Sequence, residues 1–166
     1  MKTLYLLRHA KSDWSDPAIA DRDRPLSPRG KRARLAVANH IAGWKVDRVV
    51  CSPARRARAT AKPVVKMLRC PVSYESAVYD AVPERLFDTI RAWSDRDESV
   101  MLVGHNPSLE ELAAILCDHA PLFPTAALAT VKLAIERWPE VTAGCGTLTA
   151  FFVPGRDSGG IGRGPE

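Results

Sequence analysis

Short, wholly apolar runs alternate along this chain with longer stretches in which apolar residues recur every three to four positions. The runs at Leu4 to Leu7, Val49 to Cys51 and Val100 to Val103 lack polar alternation, so they read as strands buried on both faces. Between them lie segments of helical period, an order that predicts a sheet covered by helices on both sides. Strands are expected at 3–8, 46–51, 72–75 and 99–104. Residues 127–134 and 146–153 alternate apolar and polar positions and are expected to pair antiparallel across the 136–145 loop.

Helix boundaries carry their own signals. Ser27 followed by Pro28 predicts an N-cap and first helical position, with Leu35, Ala36, Ala38 and Ile41 on the inner face and Gly43 past the end. A second helix is expected to start at Ser52 and Pro53 and run toward Leu68, with Pro63 kinking or ending it. Further helices are expected over 84–93 and from Pro107 or Ser108 to about Asp118. The predicted fold is a three-layer α/β/α sandwich with a mostly parallel central sheet. Residues 10–26 form a loop longer than such connections usually are, which points to function.

At 166 residues with 46% apolar and 26% charged content, the chain is one globular domain with a core of its own. The net charge of +5 suits an anionic ligand, but the basic residues are dispersed and aromatic content is only 7%, so no nucleic-acid surface is expected. Cys51, Cys70, Cys117 and Cys145 have no metal-type or C-x-x-C spacing and read as reduced thiols of a cytoplasmic protein. No apolar run suits a signal peptide or a membrane span. Residues 1–154 are expected to form the domain and 155–166, with Gly, Ser and Pro, a disordered tail.

The candidate chemistry lies where the apolar runs stop. The first ends in Arg8 and His9, the third in His105, and the second leads through Ser52 and Pro53 to Arg56. Helix starts beside those strand ends would turn free N–H groups toward the same rim, where an anion is stabilised. Two arginines add forked donors that match phosphate oxygens. A neutral imidazole among them is a nucleophile toward phosphorus, and a second can donate to the oxygens on which charge gathers. His9, at the end of a rigid strand, is the expected nucleophile, and His105 the expected donor. His40 and His119 read as groups at helix ends.

Four motifs in order carry a resemblance. They are Leu7-Arg8-His9-Ala10; Arg24 to Gly30 (RPLSPRG); Ser52 to Thr60 (SPARRARAT); and Val103-Gly104-His105-Asn106-Pro107. With them the chain resembles the histidine phosphatase superfamily, of phosphoglycerate-mutase-like fold, and within it the SixA-type phosphohistidine phosphatases. The resemblance implies His9 as the phosphorylated nucleophile, with Arg8, Arg56 and His105 around the phosphate and Ser12 as a further donor. It implies no metal or other cofactor. Ala10 stands where the family motif has Gly, and Ser15 where mutase-like members have Asn. Asn106 follows the second histidine in place of a carboxylic acid. Asp80 is therefore the candidate proton donor, with Glu84 behind it. The implied substrate is a phosphohistidine on a partner protein. The alternatives are a small phosphate monoester, or binding of phosphate without turnover.

Overall fold

The computed structural model describes residues 1–156. The expected tail lies almost wholly outside the described residues; Gly155 and Arg156 form a turn closed by a bond from the Arg156 N–H to the Val153 carbonyl. Six strands form one sheet: β1 (Lys2–Arg8), β2 (Arg48–Cys51), β3 (Val72–Tyr74), β4 (Ser99–Gly104), β5 (Leu128–Leu133) and β6 (Gly146–Phe152). Their spatial order is β3-β2-β4-β1-β5-β6. The ladders β3–β2, β2–β4 and β4–β1 are parallel, whereas β5 runs antiparallel to both β1 and β6. This is the mostly parallel sheet that the apolar runs predict, and 128–133 and 146–152 form the expected antiparallel pair.

Four helices cover the sheet: α1 (Pro28–His40), α2 (Arg55–Leu68), α3 (Pro83–Arg91) and α4 (Ser108–Cys117). Alternation along β1 and β4 divides the core in two. Leu4, Leu6, Val100 and Leu102 pack with Leu86, Ile90, Leu109 and Leu112 of α3 and α4. Leu7, Met101 and Val103 pack on the other face with Val37, Ala38, Ala57, Ala61 and Val64 of α1 and α2. Each large side chain fully buried in this way contributes about 2 kcal/mol. That burial on both faces fixes β1 and β4 rigidly, and their C-terminal ends lie level, with Arg8 opposite Gly104 and Cys51 opposite Val103.

Two boundary expectations are corrected. Helix α2 neither starts at Pro53 nor stops at Pro63; it begins at Arg55 and runs on to Leu68. Pro63 has no N–H for the Ala59 carbonyl, and Arg34 of α1 donates to that oxygen instead at 2.8 Å, which removes the cost of the missing bond. The Ser52 hydroxyl accepts the Ala54 N–H at 3.2 Å and sits apart from the helix proper. The cap at Ser27 is as expected, its hydroxyl accepting the Gly30 N–H at 3.1 Å. Both the Ser27 N–H and its hydroxyl donate to the Lys11 carbonyl, and any Cβ on Gly30 would collide with that oxygen. The start of α1 is thus stapled to the segment that follows His9.

Candidate active site

The level ends of β1, β4 and β2 deliver His9, His105 and Ser52 to one rim. The His9 N–H donates to the Gly104 carbonyl at 3.0 Å, and its own carbonyl accepts from Ala126 at 3.1 Å. The next residue is held as firmly: the Ala10 N–H donates to Thr60 Oγ1 at 2.9 Å, and that hydroxyl donates to the Arg56 carbonyl at 2.7 Å. One hydroxyl on α2 therefore couples the backbone after His9 to the turn that carries Arg56.

The two imidazoles are buried, with ring centroids 5.1 Å apart. His9 Nδ1 lies 2.7 Å from the Ala10 carbonyl. A carbonyl only accepts, so the ring proton sits on Nδ1 and the lone pair on Nε2. Burial is the main force pushing the His9 pKa down to about 3; the Ala10 bond opposes it, and His105, Arg56 and Arg8 add to the lowering. Burial and the nearby Arg56 likewise lower His105 to about 4. Both rings are neutral at pH 7.

Arg56, buried in the first turn of α2, joins the two rings. Its Nε–H faces His9 Nε2 at 3.4 Å, and its Nη2 lies 3.4 Å from His105 Nδ1. On its outer side Nη1 donates to the Asp21 carbonyl at 2.7 Å and Nη2 to Asp21 Oδ2 at 3.1 Å. His105 Nε2 lies 2.7 Å from the hydroxyl of Ser52, which is fully buried. A hydroxyl both donates and accepts, so His105 Nδ1 can take a bond from Arg56 or, protonated, donate to an entering anion.

Arg8 lies at the end of β1, and its Nη1 donates to the Phe123 carbonyl at 2.7 Å. Its Nε is buried and without a partner among the described residues, and its charge lowers the pKa of both histidines. Glu110 of α4 holds the rim here, accepting the Phe123 N–H at 2.8 Å and the Asn106 side-chain amide at 3.3 Å.

A cavity of about 120 Å³ opens beside Arg56 and His105, lined also by Asn106, Tyr79, Asp80 and Asp21, with His9 and Arg8 outside its lining. Asp80, placed there by a left-handed backbone (φ 52°), has an exposed side chain. Asp21 is the better held carboxylate: Oδ2 accepts from the Tyr79 hydroxyl at 2.7 Å, and Oδ1 pairs with Arg24. The Tyr79 bond, with Arg56 and Arg24, keeps Asp21 below the usual carboxylate range.

Arg8, His9, Arg56 and His105 are thus brought together as the strand ends suggest, and Asp80 lines the adjoining cavity. Glu84 is elsewhere, lining a separate cavity with Phe87, Asp88 and Arg91. Ser12 is buried in a bridge to Leu26, and no hydrogen bond links its hydroxyl to the four among the described residues. Sequence reasoning missed Asp21, Tyr79 and Thr60 as parts of the site and read Ser52 only as a cap.

A doubly covered α/β sheet with two neutral imidazoles and two arginines at its C-terminal rim defines an anion site equipped for phosphoryl chemistry. Residues 4–81 match the family described as histidine phosphatase superfamily (branch 1). An uncharacterised protein of Mycobacterium tuberculosis is 34% identical over 165 residues, covering 89% of this chain and 99% of that one. The phosphohistidine phosphatase SixA of Escherichia coli is 31% identical over 139 residues, covering 78% of this chain and 84% of that one. A solved structure of SixA from Nakamurella multipartitia superposes with a TM-score of 0.82 at 26% identity, covering 93% of this chain and 97% of that one. The chain belongs to the histidine phosphatase superfamily. It is a hydrolase of that metal-independent class, which acts through a phosphohistidine intermediate. Among the described residues no helix is long and apolar enough to cross a membrane.

Ser52 then has a testable part in turnover. Its replacement by alanine leaves His105 Nε2 without its partner and frees the ring to turn. Ser52→Ala is expected to lower kcat about tenfold, the worth of one buried neutral hydrogen bond. Steady-state hydrolysis of an activated aryl phosphate checks this.

Proposed function

We propose that this chain removes the phosphoryl group from phosphohistidine on a partner protein, with His9 Nε2 as the nucleophile. The observation that carries the reading is the fixed tautomer of His9: its proton is engaged by the Ala10 carbonyl, and its lone pair lies beside Arg56. In the first step that lone pair attacks phosphorus and the bond to the substrate's nitrogen breaks, its electron pair leaving with the substrate imidazole. In the second step water attacks phospho-His9, the P–Nε2 pair returns to the ring, and inorganic phosphate leaves with the water's oxygen. Arg8, Arg56 and a His105 Nδ1–H stabilise the charge gathered on the non-bridging oxygens in both steps.

Two features favour a phosphoramidate on a protein surface. Asp21 and Asp80 at the cavity are exposed, so the entrance is open to a ring carried by another molecule. Asn106 cannot serve as an acid, and an imidazole that already carries its proton leaves without one. A small phosphate monoester is the second reading. It rests on Asp80, whose carboxyl lines the cavity and in that case would protonate the departing alkoxide.

The test is metal-free hydrolysis by the wild-type protein of a phosphohistidine-bearing protein, an activated aryl phosphate and simple sugar phosphates. A kcat/KM highest for the phosphohistidine protein is expected. Faster turnover of a sugar phosphate would overturn the reading in favour of the monoester.

A further inference from the structure

Asp21 is an odd neighbour for a phosphate site. A carboxylate that stays ionised beside a bound dianion carries a cost, because like charge opposes both binding and the charge that builds on an alkoxide leaving group. Here a carboxylate is bound to the central arginine and anchored twice more. Oδ2 takes Arg56 Nη2 at 3.1 Å and the Tyr79 hydroxyl at 2.7 Å, while Oδ1 takes Arg24. The edge of Arg56 that faces His9 is Nε, at 3.4 Å, whereas Nη2, which binds Oδ2, also lies 3.4 Å from His105 Nδ1. The carboxylate therefore stands at the cavity mouth, with the guanidinium between it and the nucleophile.

Position and charge together select a leaving group. The side chain of Asp21 is 51% exposed although it holds three partners. A carboxylate has about four lone-pair sites, so one acceptor site remains for whatever enters. A phosphohistidine ring that is ready to leave carries a proton on the nitrogen not bonded to phosphorus, and hence a positive charge. As the P–N bond breaks, its electron pair goes to the leaving nitrogen, and the ring departs as neutral imidazole with that proton still in place. No proton need be transferred. What the reaction needs is an acceptor that keeps the ring protonated until the bond breaks. A phosphate ester needs the reverse, a donor for an oxygen that becomes negative, and an ionised carboxylate repels that oxygen.

We infer that Asp21 is the specificity-determining residue of this site, accepting the ring N–H of a cationic phosphohistidine and disfavouring leaving groups that become anionic. The inference rests on the phosphohistidine reading above and supplies its selectivity. Tyr79 and Arg24 are positioning residues that keep the carboxylate fixed and ionised. Asp80, exposed and in the same cavity, has no such side-chain partner among the described residues.

The experiment compares wild type with Asp21→Asn on two substrates, a phosphohistidine-bearing protein and p-nitrophenyl phosphate, whose leaving group needs no acid. The readout is the ratio of the two kcat/KM values, because Asp21 also braces Arg56 and loss of that brace lowers both alike. The ratio is expected to fall about ten- to hundredfold, the range for a hydrogen bond to a charged group. Melting curves establish that the variant is folded. A ratio that stays put while both constants fall would overturn the inference and leave Asp21 as an anchor of Arg56 alone. So would an undiminished rate on the phosphohistidine protein. A wild type that prefers sugar phosphates would instead defeat the function proposed above, so the two failures are told apart without the variant.

Discussion

His9→Ala is expected to lower turnover of every substrate by at least ~10⁴-fold, as removal of a covalent nucleophile does in other enzymes. The same variant should take up no radiolabelled phosphoryl group, whereas wild type quenched in alkali during turnover should retain one on its chain. The physical reason is that nothing else at the rim can substitute. His105 is held by the Ser52 hydroxyl, which donates or accepts and so fixes no lone pair toward the phosphate, whereas the Ala10 carbonyl, which only accepts, fixes the lone pair of His9 on Nε2. The Asp21 carboxylate is tied to the outer side of the Arg56 guanidinium, whose Nε faces His9. Residual activity within tenfold of wild type, or a label on the variant, would exclude His9 as the attacking group. The variant also has a signature in stability. An imidazole of ordinary pKa 6.5 in the unfolded chain is held at about 3 in the folded protein. As pH falls below 6.5, the unfolded state therefore takes up a proton that the folded state refuses. This contribution is fully present above pH 6.5 and is lost on the way down toward 3. At pH 5 it has removed about 2 kcal/mol, which His9→Ala should not lose. Chemical denaturation at pH 7 and pH 5 measures the difference.

The part of the site that the sequence exposes is the part set by strands. Burial on both faces makes the inner stretches of β1, β2 and β4 apolar runs, Leu4 to Leu7, Val49 to Cys51 and Val100 to Val103. Those runs mark the strand ends sharply, and Arg8, His9, His105 and Ser52 follow directly from them. Arg56 is legible because it falls in the first turn of the next helix. Asp21 and Tyr79 have no such signature. Their partnership spans 58 residues and joins two irregular segments, so neither a period nor a cap points to it. Thr60 is hidden for the opposite reason: at a regular helical position its hydroxyl looks like any other, and only the packing of α2 on the sheet brings it to the Ala10 N–H. Pro63 shows a local rule set aside by tertiary contact, since the carbonyl it leaves free is satisfied by Arg34 from a neighbouring helix. Ser52 carried a correct signal with the wrong consequence; its hydroxyl does accept a nearby N–H, but it meets His105 and starts no helix.

Arg56→Ala is the second large effect, an expected loss of about 10³-fold in kcat/KM, at the lower end of what an arginine contributes to phosphoryl transfer. Arg56 is the only side chain with contacts to His9, His105 and Asp21 together among the described residues, so its removal takes away a phosphate donor and unties all three. Arg56→Lys separates charge from geometry: a point charge cannot span both rings, so most of the loss should persist if the fork is what matters. The sign of the accompanying titration is fixed as well. The guanidinium is one of the groups that lower His9 to about 3 and His105 to about 4, with burial the larger cause in both. Without it the two imidazoles should titrate higher, yet still below 6.5, because burial remains. Histidine ring resonances followed by NMR from pH 7 to pH 3.5 report this directly. An unchanged titration in Arg56→Ala would mean that the guanidinium does not lie against the rings in solution, and the loss of activity would then have to come from substrate binding alone.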